Sequence, residues 1–542
     1  MFNLEASTDD YSDFSASCGS KMASEALLLF LDLGTTKTCA VVLKKNGPQV
    51  LVRNYADRFF PSSISIKNGK WYVGLHSKTD IAEGYQVFHN PKRVIGRNTN
   101  DGLLEDDIKK CGLPYKIDEH GEPYADIDGQ RVTPTEIVAL FVCETVKMFE
   151  KMEGMAPTGC KIVVPAYFSS QQIQATIDAV KIAGLEVHGV LIEPGAVALE
   201  ALWDHKENGT FLVMDCGGGT TDLAIVDSEV TGKKHNLVVR ASNGDNRLGG
   251  EDFLDVMVRC FMGIIPGASY DELRFLCGSV KILRPGEPIT IQWRGKPYSI
   301  TYSTYTTACR ELLMRIDRLL DFDGQKHKVD GYILAGGACQ LHPIQSRVDK
   351  KHPNIASLPA GAPGETPALG AARSSQIGCT ITQGLSRSIG IGCVPENSPE
   401  TGSFMNVILQ RNEPLPTSDS KAGITARFHE TPFCLYEGEH LEDVKNIFMG
   451  EFTVVAPPET KFKVEVEVTS NMEVKVSATA DDGTMGNLTV HRDKRPMSDT
   501  EIERLRELTM TRFRSSEDSP PKARKRRKNW NRVQRSTKKV KR

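Results

Sequence analysis

The sequence predicts an internally duplicated α/β body whose halves face a shared cleft, followed by a run of antiparallel strands and a basic tail. Three observations carry this. Phe211–Val226, FLVMDCGGGTTDLAIV, is an apolar run ending in Asp215, three glycines, then Thr220, Thr221 and Asp222 leading into a second apolar run, which reads as a hairpin with polar residues at its tip. Leu27–Ala40, LLLFLDLGTTKTCA, repeats the plan with Asp32, Gly34, Thr35 and Thr36, and recurrence within one chain points to duplication. Across residues 386–494, apolar and polar positions alternate between closely spaced turn residues, the period of antiparallel strands.

A chain of 542 residues is too long for one core, and its 39% apolar and 25% charged composition is that of a soluble globular protein. No apolar run reaches the roughly 18 residues of a membrane-spanning helix, so no contact with a membrane is expected. The first 25 residues are Ser- and Asp-rich, without a basic start and apolar centre, and read as a loose tail rather than a secretory signal. Thirteen cysteines are scattered with no C-x-x-C pair, which argues against zinc and a disulfide framework and for a reducing compartment, cytoplasmic or nuclear. Twelve of the 67 basic residues fall in 522–542 with no acid among them, leaving 55 basic against 69 acidic residues elsewhere. The body is therefore acidic and the tail basic.

The hairpin tips carry the candidate chemistry. Glycines at 217, 218 and 219 permit backbone conformations that a side chain forbids, so amide groups can face a phosphate, and threonine hydroxyls add donors. Asp215 and Asp222 would repel a bare phosphate, which implies an intervening cation, most readily Mg²⁺ with oxygen ligands and water. An ordinary glycine-rich hairpin is the alternative for one such segment; its recurrence at Asp32 favours two hairpins gripping one polyphosphate.

The remaining elements follow in order. Phe60–Ile64 and Trp71–Gly74 read as short strands, and Asn90–Arg97 is a basic segment containing Lys92. Thr133-Pro134-Thr135-Glu136 is a capping box with proline at the first helical position, and Ile137, Leu140, Phe141 and Met148 continue the helix. Strand Lys161–Val164, helix 170–184 and strand Val187–Ile192 deliver Glu193 to a strand end, where open α/β sheets hold ligands. Glu193 is thus a candidate to orient a water or a metal. Gly244–Phe253 is a loop opening a helix, and Tyr332–Gln340 is a strand ending in Gly336-Gly337, with a helix past Pro343. Ser498 and Glu501 mark the start of a last helix, Ser498–Arg512. KARKRRKNWNRVQRSTKKVKR is too charged to fold alone and suits a nuclear-import signal or a hold on nucleic acid, with Trp530 available for stacking; a merely solubilising tail is the alternative.

DLGTTKT, PKRVIGR, VVPAYFSSQQIQATIDAVKIAGLEV, LIEPGAVAL, MDCGGGTTDLAIV, RLGGEDF and LAGGACQLHPIQ stand in the order and at much of the spacing of the 70-kDa heat-shock protein chaperones, which the chain resembles over about residues 26–510. The resemblance implies an actin-like, ribonuclease-H-like two-lobed ATPase domain at 26–377, a linker at 378–385, an antiparallel β-sandwich that holds extended peptides at 386–497, and a short helix at 498–514 in place of a helical lid, before the basic tail at 515–542. It further implies that Asp32 and Asp215 hold Mg²⁺ through water. Thr35, Thr36 and Lys37, with Gly34, would contact the β- and γ-phosphates of ATP, as would Gly217, Gly218, Gly219 and Thr220. Lys92 would sit beside the γ-phosphate, Glu193 and Asp222 would position the metal shell and the attacking water, and Thr220 would share in catalysis. Gly336, Gly337 and Ala338 would lie along the nucleoside, with Lys281 against adenine. Phe404, Met405, Val407 and Leu409 would line the peptide site, although each also suits the core of a sandwich.

Several positions depart from the family pattern. Gly278 and Ile282 stand where the adenine-side helix usually carries Glu and Arg. Gly364 replaces an aspartate, Ile173 replaces an arginine that relays the nucleotide state, and Gly378–Leu385 lacks the acid and the leucine run of the usual linker. The reading is an ATP-binding chaperone that hydrolyses ATP to modulate binding of unfolded or extended peptides, with co-chaperones and nucleotide-exchange factors as partners. The alternative is a weakly or non-hydrolysing nucleotide-binding scaffold with a tail directed to an import receptor or nucleic acid.

Overall fold

A computed structural model of the chain describes residues 28–515 apart from 54–56, 75–83, 111–112, 205–207, 279, 281–283, 322–327, 395–402, 482–489 and 492–496. The amino-terminal tail, Lys281, Ile282 and the basic segment 522–542 lie outside the described residues.

The duplication is visible in the strand order. In the first lobe, β1 (Leu28–Leu33) and β2 (Lys37–Lys44) form the first hairpin, and β3 (Gly159–Val164) and β4 (Glu186–Ile192) extend the sheet in parallel on the other side of β1. In the second lobe, β5 (Gly209–Cys216) and β6 (Thr221–Thr231) form the second hairpin, β7 (Lys234–Asp245) continues antiparallel, and β8 (Gly331–Ala335) runs parallel to β5. Both sheets thus read parallel, parallel, antiparallel, antiparallel across five strands. Near-continuous apolar strands such as β1, buried at every residue, are what a sheet covered on both faces requires.

Two helices cross between the lobes. α1 (Pro134–Glu153) and α2 (Ser170–Ile182) lie on the first lobe; α1 has the expected capping box of Thr133 with Glu136, and α2 has one of Ser169 with Gln172. α3 (Glu193–Trp203) leaves β4 and packs on β5 and β6 of the second lobe, whereas α4 (Thr366–Arg373) packs on β1, β2 and β3 of the first. Where they cross, Gly370 of α4 lies on the backbone of α3, and a Cβ there would collide with the Ala196 carbonyl. The helix expected past Pro343 begins one residue earlier, at His342, since proline fits a first helical turn whose N–H groups need no partner.

Residues 386–491 form two antiparallel sheets, one of Ile389–Cys393, Phe404–Leu409, Glu430–Glu437, Ile447–Val455 and Val490–His491, the other of Thr417–Thr425, Lys461–Val468 and Val474–Ala480. Leu409, Phe433, Phe452, Phe462 and Val466 share the core between them, with Phe433 edge-to-face against both Phe452 and Phe462. Of the segment LTVHRDK only Val490–His491 is described, and it is a strand.

Residues 378–385, expected as a plain connector, contain a further strand, Cys379–Thr382, which runs parallel to His235–Val238 and adds a sixth strand to the second lobe. The two-sheet unit rests on the lobes. Ser170 N–H at the start of α2 donates to the carboxylate of Glu437, Gln171 Nε2 donates to the Phe448 carbonyl, and the guanidinium of Arg387 lies 3.9 Å from the centre of the Tyr167 ring. The last helix, Asp499–Ser515, packs on α1 and α2 through Ile502, Leu505 and Phe513. Arg512 holds Glu136 at 2.6 Å, and the Glu501 N–H reaches the Ser498 hydroxyl that caps the helix.

Candidate nucleotide site

The two hairpins have equivalent loops. β1 and β2 are joined by Gly34–Thr36 after the pairs Asp32 with Cys39 and Leu33 with Thr38; β5 and β6 are joined by Gly217–Thr220 after Asp215 with Asp222 and Cys216 with Thr221. Ser62 braces the first loop, its hydroxyl donating to the Gly34 carbonyl, and the Gly217 N–H closes the second on the Thr220 carbonyl.

The tips meet across the cleft. A Cβ on Gly218 would lie 2.6 Å from the Thr36 hydroxyl, and one on Gly219 would lie 2.8 Å from that of Thr35. The glycines at 217, 218 and 219 do not adopt the left-handed conformations expected of them. The need at 218 and 219 is instead steric, because two loops from opposite lobes touch there and a side chain would hold them apart. Ion pairs flank the contact: Arg93 to Asp252 at 2.8 Å, and Asp107 between Arg97 and Arg247.

Behind the tips lies a cavity of about 380 Å³. Its walls hold Asp32, Gly34, Thr35, Thr36 and Lys37 from the first lobe's hairpin and Asp215, Gly217, Gly218 and Thr220 from the second, with Lys92, Glu193, Gly336, Gly337 and Ala338. Gly219 packs behind the tip instead of facing the cavity, and Asp222 is fully buried within β6. On the wall assigned to adenine, Gly278 and Val280 are present beside Leu254, Cys277 and Tyr305, residues that sequence reasoning did not single out. Tyr305 is placed by its hydroxyl donating to the Phe253 carbonyl, a contact 52 positions apart with no local signature.

Charge is concentrated at the cavity floor. Lys92, in the short 3₁₀ turn Pro91–Arg93, is buried and donates to Glu193 at 2.7 Å. Burial by itself would pull its ammonium down, yet Glu193, Asp32 and Asp222 around it hold it above the ordinary lysine range. Burial pushes Asp32 up to about 7, opposed by Lys92 and reinforced by Glu193. Burial also raises Asp215 and Asp222, with Glu193 adding to both. Asp32 Oδ1 has no hydrogen-bond partner within the protein. Such a buried cluster of acids with one ammonium among them is short of positive charge.

Among the described residues, no three His, Cys, Asp or Glu side chains converge closely enough to hold a metal ion directly. The orphaned Asp32 oxygen, with Asp215 on the same cavity wall, fits a divalent cation carried on its own waters, the usual habit of Mg²⁺. In the two-sheet unit, Leu409 lies in the core and Met405 is buried, while Phe404 and Val407 are half-buried. No helix among the described residues is long and apolar enough to cross a membrane.

Comparison with known proteins agrees with this geometry. The family model described as Hsp70 protein matches residues 28–265. The chain is 28% identical over 523 residues to chaperone protein DnaK of Carsonella ruddii (strain PV), covering 88% of this chain and 85% of that protein. It is 29% identical over 521 residues to heat shock 70 kDa protein of Neurospora crassa, covering 88% of this chain and 79% of the relative. A third relative, chaperone protein DnaK of Buchnera aphidicola subsp. Schizaphis graminum, is 29% identical over 489 residues, with 82% and 75% covered. In its twin hairpins from opposite lobes, the lysine and glutamate pair beneath them and the breadth of these matches, the chain is similar to the 70-kDa heat-shock proteins.

Proposed function

We propose that the chain is an ATP-dependent molecular chaperone whose actin-like body binds and hydrolyses ATP and whose β-sandwich holds extended peptides. The observation that carries this reading is the closure of two equivalent hairpin loops from opposite lobes over a cavity floored by the Lys92–Glu193 pair.

The residues divide the work. Amides and hydroxyls of Gly34–Lys37 and Gly217–Thr220 bind the phosphates, with Lys37 adding a charge. Lys92 places its ammonium where negative charge would develop on the transferred group, and Glu193 fixes that ammonium while accepting a hydrogen bond from the attacking water. Asp222, sealed behind the loop, would aid in ordering the metal shell. Asp32 and Asp215 would hold Mg²⁺ through water, and the ion would neutralise phosphate charge. Phosphoryl transfer asks for this kind of positioning and neutralisation rather than covalent help. Gly336, Gly337 and Ala338 run along the nucleoside. Phe404 and Val407 are the sandwich residues with surface to offer a peptide. Unfolded or extended peptides and co-chaperones are the partners, in the cytoplasm or nucleus; the composition of 522–542 supports contact with an import receptor or nucleic acid.

The test is nucleotide-dependent peptide release, followed by fluorescence anisotropy of a labelled extended peptide. Ile173 is a buried aliphatic where the family carries its relay arginine. Coupling through that position is therefore lost, and ATP should shift peptide affinity by less than about tenfold, or ~1.4 kcal/mol. A larger shift would show the relay replaced elsewhere, and a protein that takes up no peptide would remove the chaperone reading.

A further inference from the structure

Gln383 occupies a junction that the proposed hydrolysis leaves unexplained. The preceding residues, Cys379–Thr382, pair their backbone with the edge of the second lobe. The Gln383 side chain crosses to the first lobe, where β4 is the edge strand of its sheet. Its Oε1 accepts the Ile192 N–H at 2.6 Å, and its Nε2 donates to the Val190 carbonyl at 2.9 Å. One carboxamide thereby serves the outward carbonyl of residue 190 and the outward amide of residue 192, as a residue of a parallel neighbouring strand would. The Gln383 carbonyl in turn accepts the Leu415 N–H of the sandwich. A single buried residue is thus bonded to the first lobe and to the sandwich, directly after a strand paired with the second lobe.

Ile192 immediately precedes Glu193, the first residue of α3 and the partner of Lys92. We propose that Gln383 is a positioning residue for hydrolysis, its carboxamide fixing the end of β4 and through it the carboxylate of Glu193. This inference rests on the hydrolytic reading given above. The residue type matters: an acid at 383 could accept from Ile192 but has no hydrogen for Val190, and a shorter amide cannot span both groups.

The test compares single-turnover phosphate release from magnesium ATP by the full chain with Gln383→Glu and Gln383→Asn, alongside ATP affinity for each. Turnover should fall about tenfold or more in both variants while the ATP dissociation constant stays within about twofold, because Glu193 is displaced but the phosphate loops are untouched. Thr380→Ala, which removes only an exposed hydrogen bond from the same strand to Asn236, should leave both quantities within about twofold. Retained ATP affinity also reports that each variant is folded. Turnover unchanged in Gln383→Glu, or turnover and affinity lost in parallel, would overturn the positioning role while leaving the hydrolytic reading intact. A natural chain that binds ATP and releases no phosphate would overturn the hydrolytic reading and the proposal with it.

Discussion

Replacing Lys92 with alanine should reduce single-turnover ATP hydrolysis by at least about 100-fold, measured by quench, with ATP still bound. The ammonium is 2.7 Å from Glu193 on a floor that also carries Asp32, Asp215 and Asp222, all buried. Under the proposed hydrolysis, removing it would delete the positive charge meant for the transferred phosphoryl, and it leaves Glu193 without its anchor. Without the opposing ammonium, burial would favour the protonated form of Asp32 further, leaving it less able to order water or metal. The phosphate loops do not depend on Lys92, since Ser62 and the hairpin's own backbone hold them. Hydrolysis within about twofold of the natural chain would show that the ammonium serves packing against Phe168 and Glu193 rather than chemistry.

Gly370→Ala should destabilise the protein by about 3 kcal/mol, seen as a lower denaturation midpoint, because the added methyl has no space against the Ala196 carbonyl. α3 and α4 would have to separate. α3 begins with Glu193, and α4 carries Pro367 on the cavity wall, so the same shift opens the nucleotide site. Weaker ATP binding should therefore accompany the lower midpoint. A midpoint shifted by less than about 1 °C would mean that the lobes are not held by this crossing.

The parts legible in sequence were those with a short, fixed spacing. The Asp-to-Gly-Thr loops, the capping box at Thr133 and the strand delivering Glu193 are each specified within a dozen residues, because hairpins and helix ends are local structures. The reason for the glycines at 218 and 219 was not local: it depends on Thr36 and Thr35 arriving from the other lobe. The strand at Cys379–Thr382 escaped notice because a linker without leucines still offers backbone hydrogen bonds, and Thr380, Ile381 and Thr382 favour extended structure. The cap at Ser498 announced a helix but not its seat. Arg512 meets Glu136 across 376 positions, a pairing fixed only once α1 and α2 present a face to Ile502 and Leu505.

The measurement closest to the central claim is titration calorimetry of the full chain with ATP and with ADP in the presence of magnesium. Two loops closing on one triphosphate predict a single site per chain with a dissociation constant below about 1 mM, lost when magnesium is withdrawn. No heat at millimolar nucleotide would contradict the account, because paired loops over an acid-floored cavity would then have no ligand to hold.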